Sequence, residues 1–319
     1  MKKFLKMAMA STLVLGALAG CSTSSNLENK PAEQSAGNTN AGGGEAGGKV
    51  TIGLAVSTLN NPFFVSLKEG AEKAAKDAGA ELLVVDAQDD TAKQISGVED
   101  LIQKKVSVIM INPTDSAAIV TAVEAANKAN IPVITVDRAA EGGQVVSHIA
   151  SDNVKGGKMA GDFILEKLGG KGNIVELQGI AGTSAARDRG KGFHDAVDGK
   201  EGVKVVASQP ADFDRAKGLS VMENILQANK DVQAVFAHND EMALGALQAV
   251  EAAGKDIVVV GFDATDDAVK SVNDGKMGAT VAQKPAAIGE TAVQTALKVA
   301  KGEKVESNIP VDLELVTKK

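Results

Sequence analysis

From Lys49 onward, short Val/Ile-rich runs alternate with longer stretches of helical period, and each passage between the two is marked by Gly, Asn, Asp or Pro. The pattern predicts strands near 50–56, 82–86, 106–111, 132–136 and 145–149, with helices over 62–78, 91–104 and 116–129 between the first four. A second series follows, with strands near 173–177, 203–209, 234–237, 257–261 and 279–282 and helices over 153–168, 183–197, 214–229, 241–253 and 266–273. Uninterrupted apolar strands such as Val258-Val259-Val260 suit sheets covered on both faces, which are usually parallel. The expected fold class is therefore α/β, with two doubly wound, Rossmann-like parallel-sheet lobes. A last helix over 285–301 and a strand near 311–316 belong to neither series by pattern alone.

The chain ahead of Lys49 follows other rules. Lys2, Lys3 and Lys6 precede a mostly apolar stretch, 7–20, too short to cross a ~30 Å hydrocarbon core as a stable helix. It reads as a signal peptide, 1–20. It ends Leu18-Ala19-Gly20-Cys21, which resembles the lipobox of bacterial lipoproteins, whose cysteine thiol accepts diacylglycerol before cleavage. Cys21 is expected to be that lipid anchor, since each buried CH₂ of an acyl chain contributes roughly 0.8 kcal/mol to membrane attachment. Residues 22–48 hold one large apolar side chain, Leu27, among Ser, Asn, Gly and Ala. They bury too little to offset their ordering entropy, so 21–48 reads as a lipidated cysteine with a flexible tether spanning ~30 Å. Gly43 to Lys49 spells G-x-x-x-x-G-K, but Val50 stands where a phosphate loop needs Ser or Thr, and a strand follows.

A chain of 319 residues that is 44% hydrophobic can supply cores for two domains. Without the leader's three lysines, basic residues fall from 34 to 31 against 41 acidic ones, a charge near −10. With no basic excess, a nucleic-acid partner is disfavoured. One Cys forms no internal disulfide and no Cys-rich metal centre, and three scattered His offer little to a metal. No cofactor is expected.

In open parallel sheets a ligand sits beyond the carboxyl ends of the strands, where the strand order reverses. The residues there are Ser57 to Phe64, Asn112 to Asp115, Asp137-Arg138, Gly182-Thr183-Ser184 leading to Arg187 and Arg189, Asp212-Phe213-Asp214, Asn239-Asp240-Glu241, Asp263 and Gln283. Amides, carboxylates and guanidinium groups can each bridge neighbouring sugar hydroxyls, and phenyl rings pack on the C–H faces of a sugar. Phe63, Phe64 and Phe213 lie at strand exits in a chain with eight Phe and no Trp or Tyr. Competing roles stay open: Asp137, Asp263 and above all Asp240 could be helix N-caps, as could Asn61 before Pro62. Arg187 and Arg189, two apart on a helix, cannot share a face.

The segments STLNNPFF (57–64), Val136-Asp137-Arg138, SHIASDN (147–153), GIAGTSAARDR (179–189), ADFDR (211–215), NDEMALG (239–245) and VGFD (260–263) resemble the D-ribose-binding proteins of bacterial ABC importers, a branch of the periplasmic-binding-protein family with the LacI-like fold (type I). The likeness covers nearly all of 49–319. It implies a sugar held by Ser57, Asn61, Phe63, Phe64, Asp137, Arg138, Arg189, Phe213, Asn239, Asp263 and Gln283. Within that set the phenyl rings sandwich the pyranose, Arg189 is selected over Arg187, and Arg187 is left structural or partner-facing. It also implies a three-segment hinge near Ser151-Asp152, Gln283-Lys284 and Asp312-Leu313. The N-terminal lobe is then 49–151 plus 284–312, and the C-terminal lobe 152–283 plus 313–319. Where relatives tend to have Gly, this chain has Ala264; a turn with φ > 0 there costs Ala about 1 kcal/mol.

The implied partners are D-ribose, the membrane permease with its cytoplasmic ATPase, and the membrane itself through the lipid anchor, at its outer face or on the periplasmic side in a cell with two membranes. A monomer is expected. Another pentose, allose, galactose or a furanosyl autoinducer is an alternative ligand, and a chemoreceptor a further partner. A transcriptional regulator of this fold would carry a basic helix-turn-helix head where the lipobox and tether stand. An enzyme would need a motif such as G-x-S-x-G, a complete Walker A, or a G-x-G-x-x-G set between a strand and a helix, and none is present in that form; His238 beside Asn239 is the one histidine near the expected cleft.

Overall fold

In a computed structural model the chain is described over residues 49–318; the signal peptide, Cys21 and the tether lie outside the described residues. The first series of elements is β1 (Thr51–Val56), α1 (Pro62–Asp77), β2 (Glu81–Asp86), α2 (Thr91–Gln103), β3 (Val108–Ile111), α3 (Val120–Lys128), β4 (Val133–Val136) and β5 (Val145–Ser151). The second is α4 (Asn153–Lys167), β6 (Gly172–Gln178), α5 (Ser184–Val197), β7 (Val203–Pro210), α6 (Arg215–Ala228), β8 (Ala234–Ala237), α7 (Asp240–Ala252), β9 (Val258–Asp263), α8 (Asp266–Asn273) and β10 (Ala279–Ala282). The chain finishes with α9 (Pro285–Ala300), β11 (Asn308–Val311) and β12 (Glu314–Thr317).

The strands form two six-stranded sheets, ordered β2-β1-β3-β4-β5-β11 and β7-β6-β8-β9-β10-β12, each the centre of a lobe. The orders are the same, so each sheet reverses direction beside its first strand, between β1 and β3 and between β6 and β8. Pairing is parallel throughout except for β10 with β12. The central strands β3, β4 and β8 are buried along their whole length, as sheets layered by helices on both faces require. The chain passes between sheets three times: β5 leads to α4, which packs on β9 and β10; β10 leads to α9, which packs on α1 and β3 to β5; and β11 leads to β12.

Two expectations need correction. The strand near 311–316 is two strands broken at Asp312-Leu313, β11 on β5 and β12 on β10. An alternating pattern does not reveal a change of partner. Pro310, which lacks an N–H, is tolerated because β11 is an edge strand. The helix expected from 116 begins at Val120: Asp115 Oδ1 accepts from the Ala117 and Ala118 amides (2.9 and 2.8 Å), making a polar turn whose Ser116 is engaged by the other lobe.

Candidate ligand-binding site

The carboxyl ends of the two sheets face each other across a cleft of about 240 Å³ including its mouth. The first lobe supplies Asn61, Phe63 and Phe64 from the start of α1 and Asp137-Arg138 from the end of β4. The second supplies Ala185 and Arg189 from α5, Phe213 after β7, Asn239 after β8, Asp263 ending β9, and Gln283 at the passage to α9. Asn61 Oδ1 caps α1 by accepting from the Phe63 amide (2.9 Å), which fixes the first turn and stands Phe63 and Phe64 edge to face, 5.1 Å apart.

Guanidinium groups and rings interleave. Arg138 Cζ lies 5.0 Å from the Phe64 ring and 5.2 Å from the Phe213 ring, so a first-lobe cation joins aromatic walls from both lobes. Arg189 stacks on Phe262 at 3.9 Å, donates from Nε to Asn153 Oδ1 (2.8 Å) and from Nη1 to the His238 carbonyl (2.6 Å). Gly157 allows this: a Cβ there would stand 2.0 Å from the Arg189 carbonyl, so only glycine lets α4 bring Asn153 against α5. Gly179 plays the same part for Phe213, whose ring a Cβ would meet at 2.1 Å.

The acids are held as carefully. Asn112 donates to Asp137 Oδ2 (3.2 Å), and Gln283 Nε2 donates to Asp263 Oδ1 (2.9 Å). Each acid faces a guanidinium: Arg138 Nε is 3.8 Å from Asp137 and Arg189 Nη1 is 3.7 Å from Asp263. Asp137, Phe213 and Asp263 all sit at positive φ, 62°, 60° and 116°. Backbone strain of this kind persists only where surrounding contacts over-determine it, and it gathers at ligand sites. Asp137 Oδ1, Arg138 Nε and Gln283 Oε1 are buried without a hydrogen bond, half of the six such side-chain atoms among the described residues. Buried groups of this sort are usually bonded, so these three, gathered from both lobes around one cleft, leave hydrogen-bonding capacity for a polar ligand.

Ten of the eleven residues named from sequence line the cleft. Ser57 does not: it is wholly buried behind the wall, where its hydroxyl donates to Asn112 Oδ1 (2.7 Å), and so orients the asparagine that holds Asp137. Asp240 is no N-cap. Asn239 caps α7, accepting from the Met242 amide (3.0 Å), and Asp240 is buried against Thr265 and Thr280. Neither Asp137 nor Asp263 caps a helix. Arg187 lies outside the cleft, paired with Glu141 of the first lobe at 2.6 Å. Ala264 has φ 56°, the conformation in which Ala is strained. Asn112 stands among the strand-exit residues but outside the set that the resemblance implies, and Asn153 and Ala185 are in neither. The two asparagines act on other side chains, and an alanine gives no polar signal.

The family model of the periplasmic binding protein domain matches residues 52–304. The chain belongs to the periplasmic binding protein family. It is 61% identical over 271 residues to the ribose import binding protein RbsB of Escherichia coli strain K12, covering 85% of this chain and 91% of that one. It is 58% identical over 269 residues to the ribose import binding protein RbsB of Bacillus subtilis strain 168, covering 84% and 88%. A crystal structure of an ABC transporter periplasmic solute binding protein from Actinobacillus succinogenes 130z with bound D-allose is similar at TM-score 0.80 and 35% identity, covering 85% of this chain and 98% of that one. The family consists of substrate-binding proteins of ABC transporters, not enzymes.

The electrostatics of this periplasmic binding protein suit binding without chemistry. Burial raises the Asp137 carboxyl above its ordinary range against the pull of Arg138, and burial lowers Arg138 from the ordinary arginine value. Burial pushes Asp263 up to about 7 in spite of Arg189. Each charged group has thus lost water and regains partners only in part. His238, the histidine nearest the cleft, works from behind. Its Nδ1 accepts from the Gly179 amide (3.3 Å), so Nε2 carries the proton and donates to Glu176 (2.9 Å), while its carbonyl holds Arg189. Burial pushes Glu176 up, but the hydrogen bonds from His238 and Ser208 outweigh it and hold the acid at about 2.

The lobes also meet at a rim. Ser116 donates its amide to the Gly182 carbonyl (2.9 Å), and its hydroxyl accepts from the Ser184 amide (3.1 Å). Ser184 Oγ in turn accepts from the Ala139 amide (2.8 Å).

Proposed function

We propose that this protein is the extracytoplasmic binding component of an ABC sugar importer, that it takes D-ribose into the cleft, and that it presents the loaded form to the membrane permease and its ATPase. The observation that carries the reading is the lining: a narrow cleft between the lobes, with phenyl faces from both of them and unmet carboxylate, guanidinium and amide atoms between. Phe63, Phe64 and Phe213 would pack on the C–H faces of the sugar, and Asn61, Asp137, Arg138, Arg189, Asn239, Asp263 and Gln283 would bond its hydroxyls.

Residues 49–151 with 284–312 would move as one body and 152–283 with 313–319 as the other, about the three passages. Shifting the lobes from 1:99 to 99:1 closed takes roughly 5.5 kcal/mol of preference of the sugar for the closed form, a few charge-assisted hydrogen bonds. Cys21 would carry the lipid that keeps the molecule at the outer face of the membrane, with a chemoreceptor as a second docking partner.

Ribose is favoured by the RbsB relatives, which are named for it; allose is the second reading, since a solved neighbour carries it. Titration calorimetry with ribose, allose, galactose and glucose separates them. Ribose is expected to bind at least about tenfold more tightly than the others, a difference of ~1.4 kcal/mol. Equal heats for all four, or preference for a hexose, would refute the assignment.

A further inference from the structure

The turn after β9 carries backbone strain where the site needs accuracy. Asp263 at φ 116° and Ala264 at φ 56° lie in the half of backbone space that residues bearing a Cβ rarely enter. The restraint comes from outside the cleft. Asp240, the first residue of α7, is wholly buried, and its Oδ2 accepts from the Thr265 amide (2.8 Å) and the Thr265 hydroxyl (3.2 Å). Its Oδ1 accepts from the Thr280 hydroxyl (2.7 Å), and that hydroxyl accepts from the Ala264 amide (3.1 Å). Both amides that follow Asp263 therefore converge, one directly and one through Thr280, on a single carboxylate. A Cβ at Gly261 would stand 2.2 Å from Oδ1, so the strand itself makes room for the acid.

Asn239 already caps α7, so the helix does not need Asp240. A buried acid without a local duty costs stability, the more so because its burial and the neighbouring Asp263 both oppose its charge. We propose that Asp240 is a positioning residue for ligand binding: it pins the strained Ala264-Thr265 turn through Thr265 and Thr280 and thereby aims the Asp263 carboxylate into the cleft. Freed of that hold, Ala264 relaxes toward negative φ and carries Asp263 with it. Glycine at 264 has no such preference.

The inference rests on the sugar-site reading above, and its test separates the two. Ribose affinity is measured by calorimetry for Asp240→Asn and for Thr280→Val, each with and without Ala264→Gly. Asn keeps the shape but turns a donor toward donors, and Val keeps the shape of Thr without its hydroxyl. Each single change is expected to weaken binding at least about tenfold, Ala264→Gly alone to change it less than about threefold, and Ala264→Gly to restore roughly fivefold in either background. Parent-like affinity in both Asp240→Asn and Thr280→Val, or equal losses with and without glycine, would overturn the proposal. A general packing role for Asp240 would lower thermal stability without rescue by glycine and is the same negative result. Should the parent give no heat with ribose, the functional reading fails, and amide exchange at Ala264 and Thr265 in the sugar-free protein decides about the turn. Asp240→Asn speeds that exchange at least about tenfold if the turn is pinned and leaves it unchanged if it is not.

Discussion

Replacing Arg189 by Lys keeps the charge and removes the fork. Of the five N–H donors of a guanidinium, two are taken by Asn153 Oδ1 and the His238 carbonyl, leaving three for Asp263 and a ligand. An ammonium places its donors on one atom. It can reach Asn153 or His238 but not both while still facing the cleft, and it loses the planar stack on Phe262. One buried acceptor left unpaired costs about 1–3 kcal/mol, so the urea midpoint of the sugar-free protein should fall by an amount equivalent to roughly 2 kcal/mol. Sugar binding loses about two charge-assisted hydrogen bonds, some 3 kcal/mol or roughly 100-fold in Kd. Calorimetry with ribose reads the second effect and urea unfolding the first. A ribose Kd within about threefold of the parent would show that Arg189 acts only by its charge, and the account of a preorganised fork would be wrong.

Asp263 makes a pH prediction. Its pKa is raised from 3.8 to about 7 in the folded protein, so its contribution to stability is fully present below about pH 4 and is lost as pH rises through 7. Asp263→Asn removes the titration. The stability of the parent relative to this variant should therefore fall by about 2–3 kcal/mol between pH 5 and pH 8, measured by urea unfolding without sugar; a pH-independent difference would refute the assignment. The Arg187–Glu141 pair at the rim has both side chains nearly half exposed, and such pairs contribute ~0–1 kcal/mol. Arg187→Ala should thus weaken ribose binding by no more than about fivefold, and by less in high salt; a loss beyond about tenfold would make Arg187 part of the site itself.

The two α/β series are legible because a strand buried on both faces must be apolar along its length, as in Val258-Val259-Val260, while the helices between keep a polar face. The cleft is legible because such sheets present their carboxyl ends to a ligand, so Asp137, Asn239 and Asp263 announce themselves by position. What sequence leaves dark are contacts set by tertiary geometry. Asn239 and Asp240 are both good caps, and only the fold shows which amide each one meets. Ser57 and Asn112 look like ligand groups but face one another behind the wall. The break at Asp312-Leu313 is invisible to pattern, because both halves of that run have strand character and the change lies in their partners; only the family resemblance places a crossing there.

Strand β11 closes the edge of the first sheet against β5, with Asn308 beside His148, residues 160 positions apart (308 − 148). The earlier lobe therefore cannot be finished while the chain emerges from the ribosome; it stays incomplete until the segment around 308 has been made. Pairings at such separation form slowly. The sheet edge thus depends on almost the last residues to be made, so the early lobe has no complete sheet until nearly the whole polypeptide exists.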